Sequence, residues 1–355
     1  MSNEKTIGSR ALEAIAEVWR AEEPRLRWGK NGFVWWPGDF KVEASAYKRA
    51  DGYVPETWLL TVRTDFLKDA PVDDRKFVQL TAATSRFCAP TFGWVYPTKE
   101  VWAQHGEPGT RPRLWLSNTA YVTAENVAWL PGFVALMSIM QPINAQIQFE
   151  SMPTVLGGGI ADRSRPDALA GFDLHEMLWF ADHVYAPIGK EPNRWIGTGE
   201  FQRIVEKMGT TERSYGNADE GGLTIETAFG SDTALIRLRT DDSHPALGTG
   251  LLATLQIPMF GNPQEIADEC AGLNFLETMW TDIPQLGCWH PPASRGRQEG
   301  PTFASFVPNA LYQPGLAYHL AAWMIQRARW LREERFPNMS DKSIDEIMRA
   351  RLTEG

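Results

Sequence analysis

Hydrophobic positions in the first half of the chain switch between helical and strand-like spacing. Residues 10–19 place Leu12, Ile15 and Trp19 on one helical face. Three runs rich in β-branched and aromatic residues follow, and Gly, Asp and Pro bound them as in an antiparallel meander; they span 32–38, 40–48 and 56–66. The pattern then predicts a helix over 72–88, strands over 92–97 and 113–118, and a helix over 124–140.

The second half shows the same order of elements. Its pattern predicts a helix over 200–208, strands over 223–230, 233–240 and 250–260, a helix over 263–279, strands over 286–291 and 302–309, and a helix over 315–332. Asn262-Pro263, followed by Gln264 and Glu265, is typical of a helix start.

Matched residues support a repeat. Gly32 and Gly222 lie 190 residues apart, and an offset of 191 separates Asn118 from Asn309 and Tyr121 from Tyr312. The pairs Phe66/Phe260 and Pro97/Pro291 have an offset of 194. Loop insertions alone account for so small a drift, so the sequence predicts a tandem duplication. We interpret the two Asn residues as turning the chain at strand ends, and the two Tyr residues as buried with their hydroxyls bonded.

The predicted fold class is α+β, with two tandem modules that are each α-βββ-α-ββ-α around an antiparallel sheet and that pack as an intramolecular pseudo-dimer. The expected domains are a first module over 1–150, a Gly- and Pro-rich linker with an amphipathic helix over 151–197, a second module over 198–335 and a tail helix over 336–355.

Composition narrows the function classes. The formal net charge of -9 disfavours phosphate backbones and anionic membranes as partners. The three Cys residues are far apart, which disfavours a disulfide scaffold or a zinc site and fits a reducing compartment. The N-terminus has no apolar signal region, and the most apolar stretch, 127–140, is too short to span a bilayer. We therefore expect a cytoplasmic protein that binds neither nucleic acid nor membrane.

No stretch of the chain matches a catalytic motif. His175 and His183 lie two helical turns apart, too far along the axis to share one ion. The polar run 241–244 is better explained as a turn capped by Asp side chains than as a metal site, and Gly157–Gly159 lack the rest of a phosphate-binding motif. The sequence therefore predicts a protein with no catalytic residues, no metal and no cofactor.

Aromatic residues are the remaining signal, since the chain contains 15 Trp. Neighbours on a strand point to opposite faces, so one of Trp35 and Trp36 should face a second layer, the other module or solvent. Filling of two cores and their interface explains these residues most simply; an aromatic groove for a peptide or ligand is the functional alternative. The candidate binding residues are Trp35, Trp36, Trp58, Tyr96, Trp289 and His290.

The order helix, three-strand meander, helix, two strands, helix resembles the type III secretion chaperone-like (YbjN-type) superfamily, over roughly 8–141 and 198–333. The resemblance implies small cytoplasmic α+β modules that are usually dimeric, here as a tandem single-chain pair. Secretion members of that superfamily bind an extended client segment on exposed apolar patches. No motif carries a functional residue over, because the superfamily has no catalytic signature.

The expected function is therefore that of a non-catalytic, chaperone-like or regulatory protein that binds a protein or peptide, and a homo-oligomer is a further expectation. Two alternatives stay open at this point. One is a small-molecule binder or enzyme with a site between the modules, and the other is a structural subunit of a larger assembly.

Overall fold

Two antiparallel sheets and five α-helices form the described part of the chain, so its architecture is α+β. The computed structural model describes residues 5–21, 25–37, 40–49, 56–68, 114–139, 141–142, 145, 159–160, 192–208, 210–211, 213–243, 248–259, 261–280, 283–292, 300–335 and 346–347.

The first sheet has five strands that are neighbours in chain order, and a short sixth strand pairs with the fourth. These strands are β1 (Leu26–Trp28), β2 (Gly32–Trp35), β3 (Val42–Lys48), β4 (Trp58–Lys68), β5 (Leu114–Val122) and β6 (Gly159–Ile160). In β3, Val42, Ala44 and Ala46 are buried, whereas Tyr47 is exposed. One face of the sheet therefore meets the core, and the other is partly covered, since Ser45, Ser117 and Thr119 on it are also buried.

Helices α1 (Ile7–Val18) and α2 (Leu130–Ser138) cover the buried face of this sheet. Thr6 caps α1, because its hydroxyl oxygen accepts the N–H of Ser9 at 3.1 Å. The indole N–H of Trp19 donates to the carbonyl oxygen of Ala135 at 2.9 Å, which ties the end of α1 to α2. The two helices and the sheet thus enclose one core.

The second sheet has seven strands in the order β12-β13-β11-β10-β9-β8-β7. They are β7 (Thr210–Thr211), β8 (Ser214–Asp219), β9 (Gly222–Phe229), β10 (Asp232–Arg239), β11 (Gly250–Gln256), β12 (Cys288–His290) and β13 (Thr302–Pro308). Helices α3 (Glu200–Met208) and α5 (Leu316–Arg335) pack against this sheet and against each other, and a 3-10 turn (Asn309–Leu311) follows β13. Helix α4 (Pro263–Trp280) lies between β11 and β12 in the chain.

The start of α4 has the structure that its sequence predicts. The side-chain oxygen of Asn262 accepts the N–H groups of Gln264 and Glu265, at 3.0 and 3.1 Å. The carboxylate of Glu265 accepts the N–H of Asn262 in return, at 2.9 Å. This reciprocal arrangement is a capping box, and it satisfies amide groups that the first turn leaves without partners.

The strand order of the first sheet, β1-β2-β3-β4-β5, recurs in the second as β8-β9-β10-β11-β13. Gly32 begins β2 and Gly222 begins β9. A Cβ at Gly32 would lie 2.0 Å from the carbonyl oxygen of Ala44, and one at Gly222 would lie 2.2 Å from that of Leu238. In both sheets this oxygen belongs to the residue just before the glycine's strand partner. The two glycines therefore occupy the same place in equivalent hairpins.

The offset that pairs Asn118 with Asn309 is wrong in the structure. Asn118 lies inside β5, opposite Val62, whereas Asn309 begins the 3-10 turn after β13. Asn118 therefore does not turn the chain, and its amide instead donates to the hydroxyl of Ser138 at 3.0 Å. A match of residue types at a near-constant offset did not detect that β5 continues to Val122.

The chain separates into two compact units whose limits do not follow the halves of the sequence. The first unit is Met1–Val184 with Ala271–Cys288, and the second is Tyr185–Cys270 with Trp289–Gly355. This division differs from the sequence-based domains, which keep 198–335 together. In the first unit, Gln285 exchanges two backbone hydrogen bonds with Thr119 of β5, at 2.9 and 3.1 Å.

Most other predicted elements that lie in described residues are present, with ends shifted by a few residues. Four strands, β1, β6, β7 and β8, were not predicted. Several predicted elements lie outside the described residues: the helix over 72–88, the strand over 92–97, the linker helix and the tail helix.

Candidate functional site

Trp35 and Trp36 are both buried, and their ring contacts fit the predicted opposite faces of the strand. The pairing continues one residue beyond β2, because the N–H of Trp36 donates to the carbonyl oxygen of Arg25 at 3.0 Å. Trp35 stacks on Trp19 with ring centroids 4.9 Å apart. The guanidinium of Arg27 lies 5.5 Å from the centre of the Trp36 ring. Neither indole faces solvent, so only the solvent alternative is excluded; a second layer or the other module opposite one of the rings stays a prediction.

The other predicted aromatic residues contribute to cores in the described structure. Trp58 lies against α1 so closely that a Cβ at Gly8 would be 2.2 Å from its ring. Trp289 is fully buried in the second unit and meets Phe303 edge to face at 5.6 Å. Tyr96 lies outside the described residues. The idea that these residues form a groove stays a prediction.

His290 is half-buried at the end of β12, next to Trp289. Its Nδ1 lies 2.8 Å from the carbonyl oxygen of Pro291. A carbonyl oxygen only accepts, so Nδ1 carries the proton and Nε2 is the basic nitrogen. Burial lowers the pKa of His290 below 6.5, and the bond to Pro291 opposes that shift. The imidazole is therefore neutral at pH 7 and suited to accept a hydrogen bond through Nε2.

A buried cation lies near Trp289. Arg327 on α5 is 1% exposed, and the centre of its guanidinium lies 3.7 Å from the centre of the Phe303 ring. A cation this close to an aromatic face is stabilised by the ring quadrupole, most strongly where water is excluded. Trp289, Phe303 and Arg327 thus form a contiguous set inside the second unit, and Arg327 has further partners.

Neutral polar side chains form a buried network in the first unit. The hydroxyl of Thr64 donates to the amide oxygen of Gln141 at 3.3 Å, and the amide of Gln141 donates to the carbonyl oxygen of Val62 at 3.3 Å. Asn118 and Ser138 pair beside them, and all four of these polar side chains are 0% exposed. Because each is bonded, the network serves to fix the register of β4, β5 and the chain after α2.

The outer face of the first sheet carries a row of side chains that the sequence analysis did not bring together, and Tyr121 in it is half-buried rather than buried as predicted. Tyr47 of β3 lies opposite Leu59 of β4, and Leu59 lies opposite Tyr121 of β5. Tyr47 is 46% exposed, and Leu59 and Tyr121 are half-buried. The guanidinium of Arg49 lies 5.3 Å from the centre of the Tyr121 ring. We call Tyr47, Leu59, Tyr121 and Arg49 the outer row.

The sequence contained a signal for the outer row. The neighbours Ala46, Leu60 and Ala120 are buried, so apolar residues at the intervening positions must face away from the helices. A half-buried strand normally carries polar residues there. Adjacent apolar residues such as Leu59 and Leu60 therefore indicate that the outer face is apolar as well. Only the strand register shows that Tyr47, Leu59 and Tyr121 form one row.

The described residues contain neither a candidate metal centre nor a candidate membrane-spanning helix. No group of three or more His, Cys, Asp or Glu side chains in the described ranges is placed to hold a metal ion. None of the helices in this part of the chain is long and apolar enough to cross a bilayer.

No protein-family model matches the chain, and no curated protein or solved structure matches it.

Proposed function

We propose that this chain is a non-catalytic, chaperone-like or regulatory cytoplasmic protein that binds a protein or peptide partner. The outer row is the observation that carries the proposal. It presents two tyrosines, a leucine and an arginine on one sheet face, with Tyr47 exposed over nearly half of its surface. Tyr and Arg are enriched at the centres of protein interfaces, where aromatic anchors supply most of the binding energy.

The outer row is also held in place. The backbone N–H of Arg49 donates to the carbonyl oxygen of Thr57 at 3.0 Å, which keeps the β3–β4 hairpin closed beside the row. The amide of Asn126 donates to the carbonyl oxygen of Tyr121 at 2.9 Å, which fixes the end of β5. A preformed anchor loses little conformational entropy on binding, and this favours recognition of a partner.

The module organisation is part of the same proposal. Two copies of one α+β module, related to the chaperone-like superfamily by resemblance alone, would explain the shared strand order and the equivalent glycines Gly32 and Gly222. Packing of the two copies as a pseudo-dimer stays a prediction.

A comparative capture experiment tests the proposal. Tagged wild-type protein and the Tyr47→Ser variant are incubated with lysate of the native cells, and bound proteins are quantified by mass spectrometry. At least one protein should be recovered about tenfold less with Tyr47→Ser, because truncation of a central aromatic anchor typically costs more than 1 kcal/mol. Tyr318→Ser, which changes another exposed tyrosine on α5, is the matched control and should retain the partner.

Equal recovery of every protein by wild type and Tyr47→Ser, in repeated experiments, contradicts the proposed role of the outer row. Circular dichroism and thermal unfolding of both variants show that the comparison is made on folded protein. The exposed ring of Tyr47 makes a large loss of stability unexpected for this change.

A further inference from the structure

Strand β1 ends the first sheet and has an open edge in the described part of the chain. Among the described strands it pairs with β2 alone. The pairing continues one residue before β1, where the carbonyl oxygen of Arg25 accepts the N–H of Trp36 at 3.0 Å. Because bonded and non-bonded pairs alternate in an antiparallel ladder, Leu26 and Trp28 direct their backbone N–H and C=O groups away from β2. The side chain of Trp28 is 52% exposed.

Strand β8 occupies the equivalent place in the second sheet. The carbonyl oxygen of Arg213 accepts the N–H of Ala228, so Ser214, Gly216 and Ala218 direct their backbone groups away from β9. Strand β7 pairs with only the first two residues of β8. Gly216 and Ala218 therefore lie beyond the described pairing of β7, and their backbone groups point outward from β9.

The charges on β1 and at the C-terminal end of β8 have opposite signs, although exposed Arg213 precedes β8 at its other end. Arg25, Arg27 and Lys30 lie on or beside β1, and Asp219 and Glu220 lie at the end of β8. Of these five residues, Arg25 is half-buried and the others are exposed. Charged side chains on a sheet edge normally oppose pairing with another copy, but charges of opposite sign on two edges favour contact between them.

We infer that β1 of one copy of this chain pairs with β8 of a second copy as an antiparallel extension of both sheets. The register follows because residues whose backbone groups point outward must face each other. Leu26 then lies opposite Ala218, and Trp28 lies opposite Gly216. The same register places Arg25 opposite Asp219. The bulky indole thus meets the residue that leaves it most room, and the charged pair lies on the opposite face.

Pairing of identical edges fits less well. If β1 of one copy paired with β1 of another so that Leu26 faced Trp28, the two Arg27 side chains would be directly opposite. Like charges in that position destabilise a sheet. The β1–β8 contact is heterologous, because two different edges meet. Such a contact leaves one β1 and one β8 edge open after each addition, so it produces a series of oligomers unless a ring closes. This inference is independent of the proposed function of the outer row.

Sedimentation velocity of the purified full chain tests the contact. A four-residue edge is small, so we expect association at roughly 10–100 µM protein, with species heavier than the 39.9 kDa monomer that decrease at high salt. Ala218→Pro should abolish these species, because proline removes an outward N–H while leaving the β8–β9 ladder intact. Ala218→Ser retains that N–H and should associate as the wild type does.

A charge exchange identifies which edges meet. Arg25→Asp and Asp219→Arg should each weaken self-association at least tenfold, because each makes the two edges alike in charge. An equimolar mixture of the two variants should regain association, since each edge then finds an oppositely charged one on the other variant. A wild-type chain that stays monomeric at every concentration overturns the inference. So does association that survives Ala218→Pro, or a mixture of the charge variants that stays as weak as either alone.

Discussion

Replacement of Gly32 or Gly222 by alanine tests whether the two sheets share one hairpin geometry. A Cβ at these positions would lie 2.0 Å from the carbonyl oxygen of Ala44 and 2.2 Å from that of Leu238. Real Cβ atoms essentially never approach another atom closer than 3.0 Å. The neighbouring strand must therefore move by close to an ångström, and that strand lies only about 4.8 Å away in an unperturbed sheet.

The cost follows from two opposing effects. Overpacking that shifts backbone typically costs about 1–3 kcal/mol. Removing a glycine from the unfolded chain returns about 0.4–1 kcal/mol, because alanine has fewer unfolded conformations to lose. We expect a net loss of about 1–2 kcal/mol for Gly32→Ala and a similar loss for Gly222→Ala, since the packing effect is the larger.

Gly272→Ala is the matched control. Gly272 lies inside α4, and a Cβ there would meet nothing within 4 Å. Alanine should therefore stabilise the protein, by up to about 1 kcal/mol, because it is the better helix former.

Urea unfolding followed by circular dichroism gives the change in free energy, and hydrogen exchange of peptides covering β2–β3 and β9–β10 assigns it to a sheet. If either strand glycine tolerates alanine without loss, or if only one of them is sensitive, the equivalence of the two hairpins is refuted. If Gly272→Ala is the most damaging of the three, the packing argument itself fails.

Two further predictions concern the second unit. Asn193→Ala should lower the stability of the second unit by about 1–3 kcal/mol in urea unfolding. The side-chain amide of Asn193 donates to the carbonyl oxygens of Thr240 and Gly250, and both would lose this donor. As the control, Asn217→Ala at an exposed position should change the stability little. His290 should make stability depend on pH. Burial lowers its folded pKa below the unfolded value of 6.5, so its stabilising contribution is complete above pH 6.5 and is lost as the pH falls through the folded pKa. His290→Gln should flatten the pH dependence of the unfolding midpoint in that window, and an unchanged slope in the variant would show that other groups cause it.

The candidate site shows where sequence reasoning was limited. The abundance of tryptophan drew attention to Trp35, Trp36 and Trp289, and all three are interior. An aromatic side chain has the same pattern in sequence whether it fills a core or faces outward, because burial is decided by which strand or helix lies opposite. The outer row went unnoticed for the same reason: its members come from three strands, and only the register places Tyr47, Leu59 and Tyr121 together.

Local chemistry nevertheless determined a good deal of the fold. The Asn262-to-Glu265 capping box marks the start of α4, and it needs no distant residue to form. The alternation in β3 specified both the strand and its buried face. Gly32 and Gly222 marked equivalent hairpins because only glycine tolerates so close an approach of the neighbouring strand.

The sequence by itself thus determined the α+β class and most of the longer helices and strands in the described ranges, since these depend on side-chain periodicity and on contacts a few residues apart. Only the tertiary structure decided that Ala271–Cys288 belongs with the first unit and that Gln285 bridges to Thr119 of β5. Those two residues are far apart in the chain, and a single backbone bridge leaves no periodic trace. Pairing between distant segments is fixed by how whole surfaces fit, a property that no local pattern encodes.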